Sequence, residues 1–420
     1  MRQPLSLRML AAGAVGNALE WYDFAIYAFF APIIARQFFP TNDPVSAILV
    51  TFGVLAAGYF MRPLGGILIG HVGDRAGRRV ALMLSIALMA IPTSLIAFLP
   101  SFETIGIAAP ILLTVLRLLQ GLSVGGEYMG SVVFIAERSP RSRRGLAASV
   151  CSTSGTVGIL IASAVAALLQ AAVTEQALND WAWRLPFLAG LLLGFIGFML
   201  RRHMADVGKA VGGTYEPPRL PILIVVRDHF PTVLRAFGIT ALISAGFYIV
   251  FVYLTSYLTE VVGTDRGVAL DMNTAAMVLV VIVMPAFGWL TDRIGRKPVM
   301  IASAALFLLL SYPLFVMLHS GNLVWEIVGD LIFAVLVGAG LGPLPALMTE
   351  LYPREVRYSA TAFSYNLPVA IFGGTAPLIA TFLVAETGND YSPAFYLMAL
   401  SVVGLVALIL TPETKGRALN

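Results

Sequence analysis

The chain has 420 residues, of which 58% are hydrophobic and 12% are charged, with a formal net charge of +4 and a mean hydropathy of +0.86. A soluble domain carries about twice that charged fraction, so the composition indicates a bilayer protein and leaves no room for a soluble catalytic domain. The single cysteine, Cys151, excludes a disulfide framework and a thiolate metal cluster.

Twelve apolar segments follow one another along the chain, each near the roughly 20 residues that a helix needs to cross a bilayer. They predict an all-α membrane protein with twelve transmembrane helices in two six-helix bundles, over residues 1–200 and 233–420. Residues 201–232 between them are polar and rich in glycine and proline. This stretch predicts a cytoplasmic linker.

The first apolar segment carries two carboxylates at membrane depth, Glu20 and Asp23, and Asn17 and Tyr27 share their helix face. Two carboxylates so close together favour the binding of a proton. The pair is therefore predicted to couple protons, with Asn17 and Tyr27 as substrate contacts. The alternative is a structural ion pair between each carboxylate and an arginine of a neighbouring helix.

Two such arginines follow, Arg62 in the second helix and Arg117 near the middle of the fourth, and either is a possible partner for Glu20 or Asp23. A planar guanidinium holds a carboxylate through two hydrogen bonds. Arg117 therefore suits a substrate carboxylate, or alternatively a structural pair with Glu127. Arg62 and Glu127 are predicted as a structural charge pair.

A loop signature occurs twice, at residues 70–79 and again at residues 288–297. A second pattern, E-x-x-P-R-x-x-R, begins at Glu137 and again at Glu350. The chain is therefore two related halves, an organisation typical of secondary transporters. The residues of these loops predicted to act in gating are Gly70, Asp74, Arg75, Gly77, Arg78, Glu137, Arg141, Gly288, Asp292, Arg293, Arg296, Glu350 and Arg354.

Most of the 27 lysine and arginine residues fall in the two tails and in alternate loops, near residues 70, 140, 215, 295 and 355. By the positive-inside rule, both termini and the middle loop are predicted to be cytoplasmic. The same clustering accounts for the positive net charge without a nucleic-acid partner.

In the second half the polar residues at membrane depth are mainly aromatic and amide side chains. Tyr248 and Tyr253 in the seventh helix and Asn366 in the eleventh are predicted substrate contacts, because tyrosine faces attract a quaternary ammonium. The alternative is that the tyrosines lie at the membrane interface. Asp330, near the outer end of the tenth helix, is expected to be solvated.

Several motifs resemble those of a known transporter family. The loop G-H-V-G-D-R-A-G-R-R at 70–79 resembles the signature of the major facilitator superfamily. Within that superfamily, four motifs are similar to those of the metabolite:H⁺ symporter family: G-N-A-L-E-W-Y-D-F at 16–24, M-R-P-L-G-G at 61–66, R-L-L-Q-G-L-S-V-G-G-E-Y at 117–128 and A-I-F-G-G-T-A-P at 370–377. That group includes proline/betaine, α-ketoglutarate and citrate permeases.

The resemblance implies a proton-coupled symporter of the bacterial inner (plasma) membrane that imports a small carboxylate-bearing metabolite. A zwitterion such as proline or glycine betaine is the preferred substrate, held between Arg117 and the aromatic residues of the second half. The resemblance also implies that the Asp74 loop and its repeat latch the cytoplasmic gate. H⁺ is expected as the coupling ion, with no other cofactor and no metal, and the monomer is expected to be functional.

Three alternatives remain open at this point: a di- or tricarboxylate:H⁺ symporter, an exporter or antiporter, and a membrane receptor or anchor that transports nothing. An enzyme is not expected, because no nucleophile and base occur at one membrane depth.

Overall fold

The computed structural model describes residues 7–40, 44–202 and 221–419 of the chain, and every regular element within them is helical. Eleven of these helices are long and apolar enough to cross a membrane, or twelve spans if Leu10–Phe29 and Ala31–Phe38, bent by 68°, count as one. The predicted fold class is confirmed. The predicted linker falls largely on residues 203–220, which lie outside the described residues, so the bundle boundaries stay a prediction.

Contacts divide the chain into two compact units. The N-terminal unit comprises Ser6–Phe134 and Ser154–Pro221. The C-terminal unit comprises Ile222–Asn420 together with Ile135–Thr153. The segment Ile135–Thr153, which holds the first E-x-x-P-R-x-x-R pattern, therefore belongs by its contacts to the C-terminal unit.

The helices of the first half pack around a core that includes the buried Trp183, whose ring contacts Phe38 and Phe187 edge-on. They are α1 (Leu7–Phe29), α2 (Ala31–Phe38), α3 (Pro44–Phe60), α4 (Arg62–Arg75), α5 (Arg78–Phe98), α6 (Phe102–Ile105), α7 (Ala108–Arg138), α8 (Arg144–Ala172), α9 (Glu175–Asp180) and α10 (Leu185–Arg201). Within the N-terminal unit α10 packs on α1 and α5, and α4 packs on α5.

In the second half α12 packs on α18 and α20, while α16 packs on α14 and α15. The helices are α11 (Pro221–Asp228), α12 (Phe230–Tyr248), α13 (Leu254–Tyr257), α14 (Arg266–Ile294), α15 (Arg296–Leu318), α16 (Leu323–Leu341), α17 (Leu344–Leu351), α18 (Arg357–Pro368), α19 (Ala376–Thr387) and α20 (Ser392–Leu410).

π-Helical turns interrupt two spans of the C-terminal unit. One turn, Ile249–Tyr253, continues α12 and contains Tyr253, and another, Val369–Gly373, follows Pro368 at the end of α18. Such turns are rare and occur frequently at functional sites. The two π-helical turns therefore mark these two spans as candidates for a functional role.

The two loop signatures turn at equivalent glycines. Gly77 precedes α5 with φ of 107°, and Gly295 precedes α15 with φ of 112°. Residues with a Cβ atom rarely adopt this backbone conformation, whereas glycine adopts it at little cost. The duplication in sequence is therefore a duplication of backbone geometry.

Helix α7 approaches α3 and α4 backbone to backbone. A Cβ atom added to Gly121 would lie 2.1 Å from the carbonyl oxygen of Gly58, and one added to Gly125 would lie 2.0 Å from the carbonyl oxygen of Arg62. Small residues at such crossings allow membrane helices to pack closely. This approach brings the arginines of α4 and α7 close to the carboxylates of α1.

We expect Gly121→Ala to destabilise the protein, because its methyl group collides with the α3 backbone. Overpacking of this kind costs about 1–3 kcal/mol. The measurement is the melting temperature of the purified protein in detergent. Gly53→Ala is the matched control, since a Cβ atom at Gly53 meets nothing within 4 Å. Equal melting temperatures for the two variants would contradict the close crossing.

Candidate functional site

Among the described residues of the N-terminal unit, three arginines are at most 1% exposed, and each contacts a buried carboxylate. The pairs are Arg62 Nη2 with Glu20 Oε1 at 3.3 Å, Arg117 Nη1 with Asp23 Oδ2 at 2.6 Å and Arg201 Nη2 with Glu127 Oε1 at 2.5 Å. A single charge at the centre of a membrane helix costs about 2.5–3.5 kcal/mol on insertion scales. Pairing is therefore what allows these six residues to lie inside the unit.

Asp23 has a complete set of donors. In addition to Arg117, Thr93 Oγ1 donates to its Oδ1 at 2.8 Å and Gln120 Nε2 donates to the same oxygen at 2.9 Å. These contacts satisfy a charged carboxylate. Arg117 is thus the partner of Asp23 and not of Glu127. Thr93 and Gln120 are site residues that the sequence analysis missed, although Gln120 lies one helical turn after Arg117.

Arg117 is held but not saturated. Its Cζ lies 4.0 Å from the ring centroid of Tyr27 and 5.1 Å from that of Phe24. Its Nη1 donates to Asp23 and, at 2.6 Å, to Gln120 Oε1. Its Nη2 is buried and makes no hydrogen bond to any residue that the structure describes. The guanidinium therefore presents an unused pair of donors at a fixed orientation.

Glu20 is paired more loosely than Asp23. Its Oε1 accepts from Arg62 at 3.3 Å, and its Oε2 is buried with no hydrogen-bond partner. The Arg62 guanidinium also lies over the rings of Trp21 and Tyr59, at 5.8 and 5.2 Å from their centroids. Both ion-pair alternatives considered from the sequence are thus realised, one for each carboxylate of α1.

The predicted pairing of Arg62 with Glu127 is corrected by the structure. Arg201 donates to both carboxylate oxygens of Glu127, with Nη1 to Oε2 at 3.0 Å and Nη2 to Oε1 at 2.5 Å, and Ser131 Oγ donates to Oε1 at 3.0 Å. Arg201 is the last residue of α10 and is fully buried. Arg201 was not predicted as a partner of Glu127, because it lies beside Arg202 at the start of the predicted linker.

The other predicted substrate contact of α1, Asn17, donates from Nδ2 to Ser154 Oγ at 3.1 Å. Tyr27 donates from its hydroxyl to the Thr51 carbonyl oxygen at 3.2 Å, while its ring supports Arg117. Tyr27 therefore belongs to the Asp23 network. Asn17 makes a separate contact one turn before Glu20.

The predicted contacts of the second half, Tyr248, Tyr253 and Asn366, are all buried in the C-terminal unit. Asn366 Nδ2 donates to the Ala362 carbonyl oxygen of its own helix at 2.8 Å. The ring of Tyr253 lies 6.0 Å from that of Tyr257. Because Tyr248 and Tyr253 are buried, neither lies on the protein surface. Their role as substrate contacts stays a prediction.

The two loop signatures form the same ion pair. Asp74 Oδ1 accepts from Arg78 Nη1 at 2.5 Å, and Asp292 Oδ1 accepts from Arg296 Nη1 at 2.7 Å. Asp292 also accepts from the backbone N–H groups of Gly145 and Leu146, at 2.8 and 2.9 Å, and so caps the start of α8. The arginine after each aspartate is exposed in both copies, at Arg75 and Arg293.

The E-x-x-P-R-x-x-R patterns pair reciprocally. Arg144 of the first copy donates to Glu350 of the second at 2.7 Å, and Arg357 of the second donates to Glu137 of the first at 2.9 Å. The buried arginine of each pattern is therefore its second arginine. The gating residues predicted from the sequence are the first arginine of each pattern, Arg141 and Arg354, and Arg141 is exposed.

Glu350 is the centre of this cluster. Besides Arg144, it accepts from Arg296 Nη2 at 3.2 Å and from Thr414 Oγ1 at 2.7 Å. Arg144 also donates to the carbonyl oxygen of Arg417 at 3.0 Å. The segment after α20 thus joins both repeated motifs, which no sequence signal indicated.

Glu413 caps the start of α15. Its carboxylate accepts from the backbone N–H groups of Arg296 and Lys297, each at 3.0 Å, and from those of Thr414 and Lys415, at 2.9 and 2.8 Å. Burial alone raises the pKa of this carboxyl, but the four N–H donors outweigh burial and hold its pKa below the ordinary value.

The duplicated helical halves, the buried ion pairs and the repeated basic loops define a multi-pass membrane transporter. Residues 9–205 match the family model described as Sugar (and other) transporter, and residues 236–420 match the model described as Major Facilitator Superfamily. The chain belongs to the major facilitator superfamily. The resemblance recognised in the sequence is confirmed, and the protein is a transporter and not an enzyme.

Curated relatives match along almost the whole chain. A putative proline/betaine transporter of Staphylococcus aureus (strain COL) is 35% identical over 418 residues, covering 98% of this chain and 90% of the relative. The glycine betaine/proline/ectoine/pipecolic acid transporter OusA of Dickeya dadantii is 35% identical, covering 98% and 84%. The proline/betaine transporter of Escherichia coli (strain K12) is 34% identical, covering 98% and 85%.

Solved structures share the fold. The proton:xylose symporter XylE bound to 6-bromo-6-deoxy-D-glucose superposes with a TM-score of 0.80 at 18% identity, covering 98% of this chain and 97% of that one. The human organic anion transporter MFSD10 superposes with a TM-score of 0.72 at 16% identity, covering 97% and 100%. At these identities the likeness concerns the fold alone.

We expect Arg144→Gln to lower the melting temperature clearly and Arg141→Gln to leave it nearly unchanged. Removing one partner of a buried ion pair costs about 3–5 kcal/mol, and the effect here falls at the low end because Glu350 keeps Arg296 and Thr414. The measurement is thermal unfolding of both variants in the same detergent. A larger loss for Arg141→Gln would refute the assignment of the buried arginine.

Acidification is expected to remove the stabilisation that Glu413 provides. Because its pKa in the folded protein is lowered, this contribution is complete above the ordinary carboxyl pKa of about 4.3 and is lost as the pH falls through the lowered value. The difference in melting temperature between the wild type and Glu413→Gln should therefore be largest near neutral pH and disappear at strongly acidic pH. A difference that does not change with pH would contradict the cap.

Proposed function

We propose that the protein is a proton-coupled symporter that imports a small zwitterionic carboxylate, proline or glycine betaine, across the bacterial inner membrane. The names of the relatives that match 98% of the chain support this substrate class. The distribution of basic residues supports cytoplasmic termini. H⁺ is the only coupling ion in this proposal, and the monomer is the transporting unit.

The observation that carries the proposal is the free Nη2 of Arg117. Asp23 and Gln120 engage Nη1, whereas Nη2 is buried without an acceptor. A buried donor without an acceptor costs about 1–3 kcal/mol, and an arriving carboxylate recovers that energy through a charge-assisted hydrogen bond. The Tyr27 ring under the guanidinium fixes the direction in which this donor points.

The charge balance of the N-terminal unit favours a zwitterion over a dianion. Each of the buried arginines Arg62, Arg117 and Arg201 already faces one carboxylate. A zwitterion adds no net charge to this balanced set. A di- or tricarboxylate brings two or three negative charges into it, and burial of uncompensated charge is costly.

Glu20 is the better proton acceptor of the two carboxylates of α1. The negative charge of Glu20 is compensated by a single 3.3 Å contact with Arg62, and a proton neutralises this charge. The proton also adds a hydrogen to a carboxyl group whose Oε2 has no hydrogen-bond partner among the described residues. Asp23, in contrast, is held by three donors and keeps Arg117 in place. In this assignment Glu20 binds the proton and Asp23 positions Arg117.

The energetics agree with uptake. One zwitterion moving with one proton carries one positive charge inward, which gains about 2.3 kcal/mol per 100 mV of membrane potential. Since about 1.4 kcal/mol corresponds to a factor of ten, this potential alone supports roughly 50-fold accumulation. A dianion needs more than two protons for the same direction of net charge movement.

The Glu350 cluster is proposed as the gate latch. Arg144 and Arg296 compete for one carboxylate, and Asp292 is shared between Arg296 and the start of α8. Ion pairs with several alternative partners can exchange them at modest cost during a conformational change. The repetition of the motif supports a role in the motion and not in substrate choice.

The deciding experiment uses proteoliposomes with an imposed pH gradient and an internal pH dye, to which proline, glycine betaine, α-ketoglutarate and citrate are added one at a time. We expect proton entry on addition of proline or glycine betaine. Proton entry with α-ketoglutarate or citrate instead would replace the zwitterion with a carboxylate substrate. Proton exit driven by substrate would indicate an antiporter.

We expect Glu20→Gln to abolish proton-driven accumulation while leaving exchange of internal and external substrate intact, because glutamine binds no proton at this position but keeps the shape of the side chain. The measurement compares uptake and exchange of radiolabelled proline in the same proteoliposomes. The exposed Glu175→Gln in the same unit is the control, with full accumulation expected. Full accumulation by Glu20→Gln would refute the role of Glu20.

Arg117→Lys is expected to raise the KM for substrate at least about tenfold, because an ammonium cannot serve Asp23 and a substrate carboxylate in the planar arrangement of a guanidinium. Initial rates of proline uptake over a range of concentrations measure this effect. An unchanged KM would show that the substrate carboxylate binds elsewhere.

A further inference from the structure

The C-terminal unit contains a cavity that none of the proposed transport residues lines. It lies between α14 and α16 and has a volume of about 220 Å³. Two carboxylates line it, Asp271 from α14 and Asp330 from α16, and the other lining side chains are apolar, among them Met272, Ala275 and Ile327. It thus combines an apolar wall with negative charge.

Asp330 is the unusual residue of this cavity. It is 2% exposed, and its Oδ1 makes no hydrogen bond, so the expectation that Asp330 is solvated near the end of its helix is wrong. Glu326, one helical turn earlier on α16, shows the contrast, because it accepts from Thr264 Oγ1 at 2.9 Å. Asp330 is thus a buried acid with one carboxyl oxygen, Oδ1, that lacks a donor of the kind that Glu326 has.

A buried carboxylate with an oxygen that lacks a donor is costly unless a proton or a counter-charge neutralises it. No lysine, arginine or histidine is among the residues that line this cavity. A ligand that settles in the cavity therefore supplies the positive charge itself. Asp271 is exposed and adds a second negative charge where the cavity is accessible.

We infer that this cavity is a binding site for a small organic ammonium cation, with Asp330 as its buried counter-ion and Asp271 as its outer one. Calcium and magnesium take six or more oxygen ligands, which two carboxylates among apolar side chains do not provide. A zwitterion is disfavoured, because its carboxylate would face Asp271 and Asp330 with no donor in the lining. Ligand pockets for larger molecules begin at about 300 Å³, so the volume suits a compact cation.

Choline is the probe, and 3,3-dimethyl-1-butanol is its neutral control, since it has the same shape without the charge. Binding to the purified full chain in lipid nanodiscs is measured by isothermal titration calorimetry, and the melting temperature is followed in parallel. We expect choline to bind and to raise the melting temperature, and the neutral alcohol to do neither. Equal behaviour of the two compounds would overturn the assignment, because it would show that charge is irrelevant.

Asp330→Asn should weaken choline binding at least about tenfold, because it removes the buried counter-ion, and Asp271→Asn should weaken it less. Glu260→Gln, an exposed acid of the same unit, is the matched control with unchanged binding expected. Undiminished choline binding in Asp330→Asn would show that Asp330 is not the counter-ion. Displacement of choline by saturating proline would place choline at the transport site. Either result would overturn the proposal.

Ala275→Phe provides an independent test that leaves both carboxylates in place. Its side chain fills the cavity from the α14 side, so we expect choline binding to be lost while the melting temperature without ligand stays near that of the wild type. Choline binding retained by this variant would refute the cavity as the site. The proposal does not depend on proline transport, because every readout is binding to the unenergised protein.

Discussion

The compensation of charge inside the bilayer is the constraint on which this structure depends. In the N-terminal unit Arg62, Arg117 and Arg201 are buried with Glu20, Asp23 and Glu127, in pairs that connect α1 with α4, α1 with α7, and α7 with α10. Because an unpaired charge at this depth is expensive, each pair also fixes how its two helices are placed. In the proposed function, a proton or a substrate carboxylate that arrives at these pairs changes which partner a charge prefers.

The cluster around Glu350 obeys the same constraint in a different way. Here one carboxylate serves Arg144, Arg296 and Thr414, so no single contact holds the cluster together. The pairs of the N-terminal unit are closer to one-to-one, as in Asp23 with Arg117. A shared carboxylate suits an element that changes partners, whereas a dedicated pair suits a site that keeps its orientation.

The sequence was sufficient for the fold, because apolar length, the basic loops and the duplicated glycine turns are local signals. Gly77 and Gly295 could be recognised as turn residues from their motif alone, and both have positive φ. The choice of ion-pair partner was not predictable in this way. Periodicity tells which face of α7 carries Glu127, but not that Arg201 of α10 packs against that face, since this depends on how distant helices cross. Arg141 and Arg144 belong to one motif, and the motif alone does not distinguish them. Arg141 was predicted as the gating residue, whereas tertiary packing buries Arg144.

The two halves of the repeat are alike in their loop motifs and differ in the polar residues of their interiors. In the reciprocal pairs Arg144–Glu350 and Arg357–Glu137, each motif supplies an ion-pair partner to the other, so a change in one copy removes a contact from the other. The interior has no such mutual dependence. The first half keeps balanced ion pairs at membrane depth, whereas the second has buried tyrosines, an amide and, at Asp330, a carboxylate whose Oδ1 has no donor. The two copies of the loop motifs are therefore alike in their pairing, whereas the interiors of the two halves differ in the polar groups that they bury.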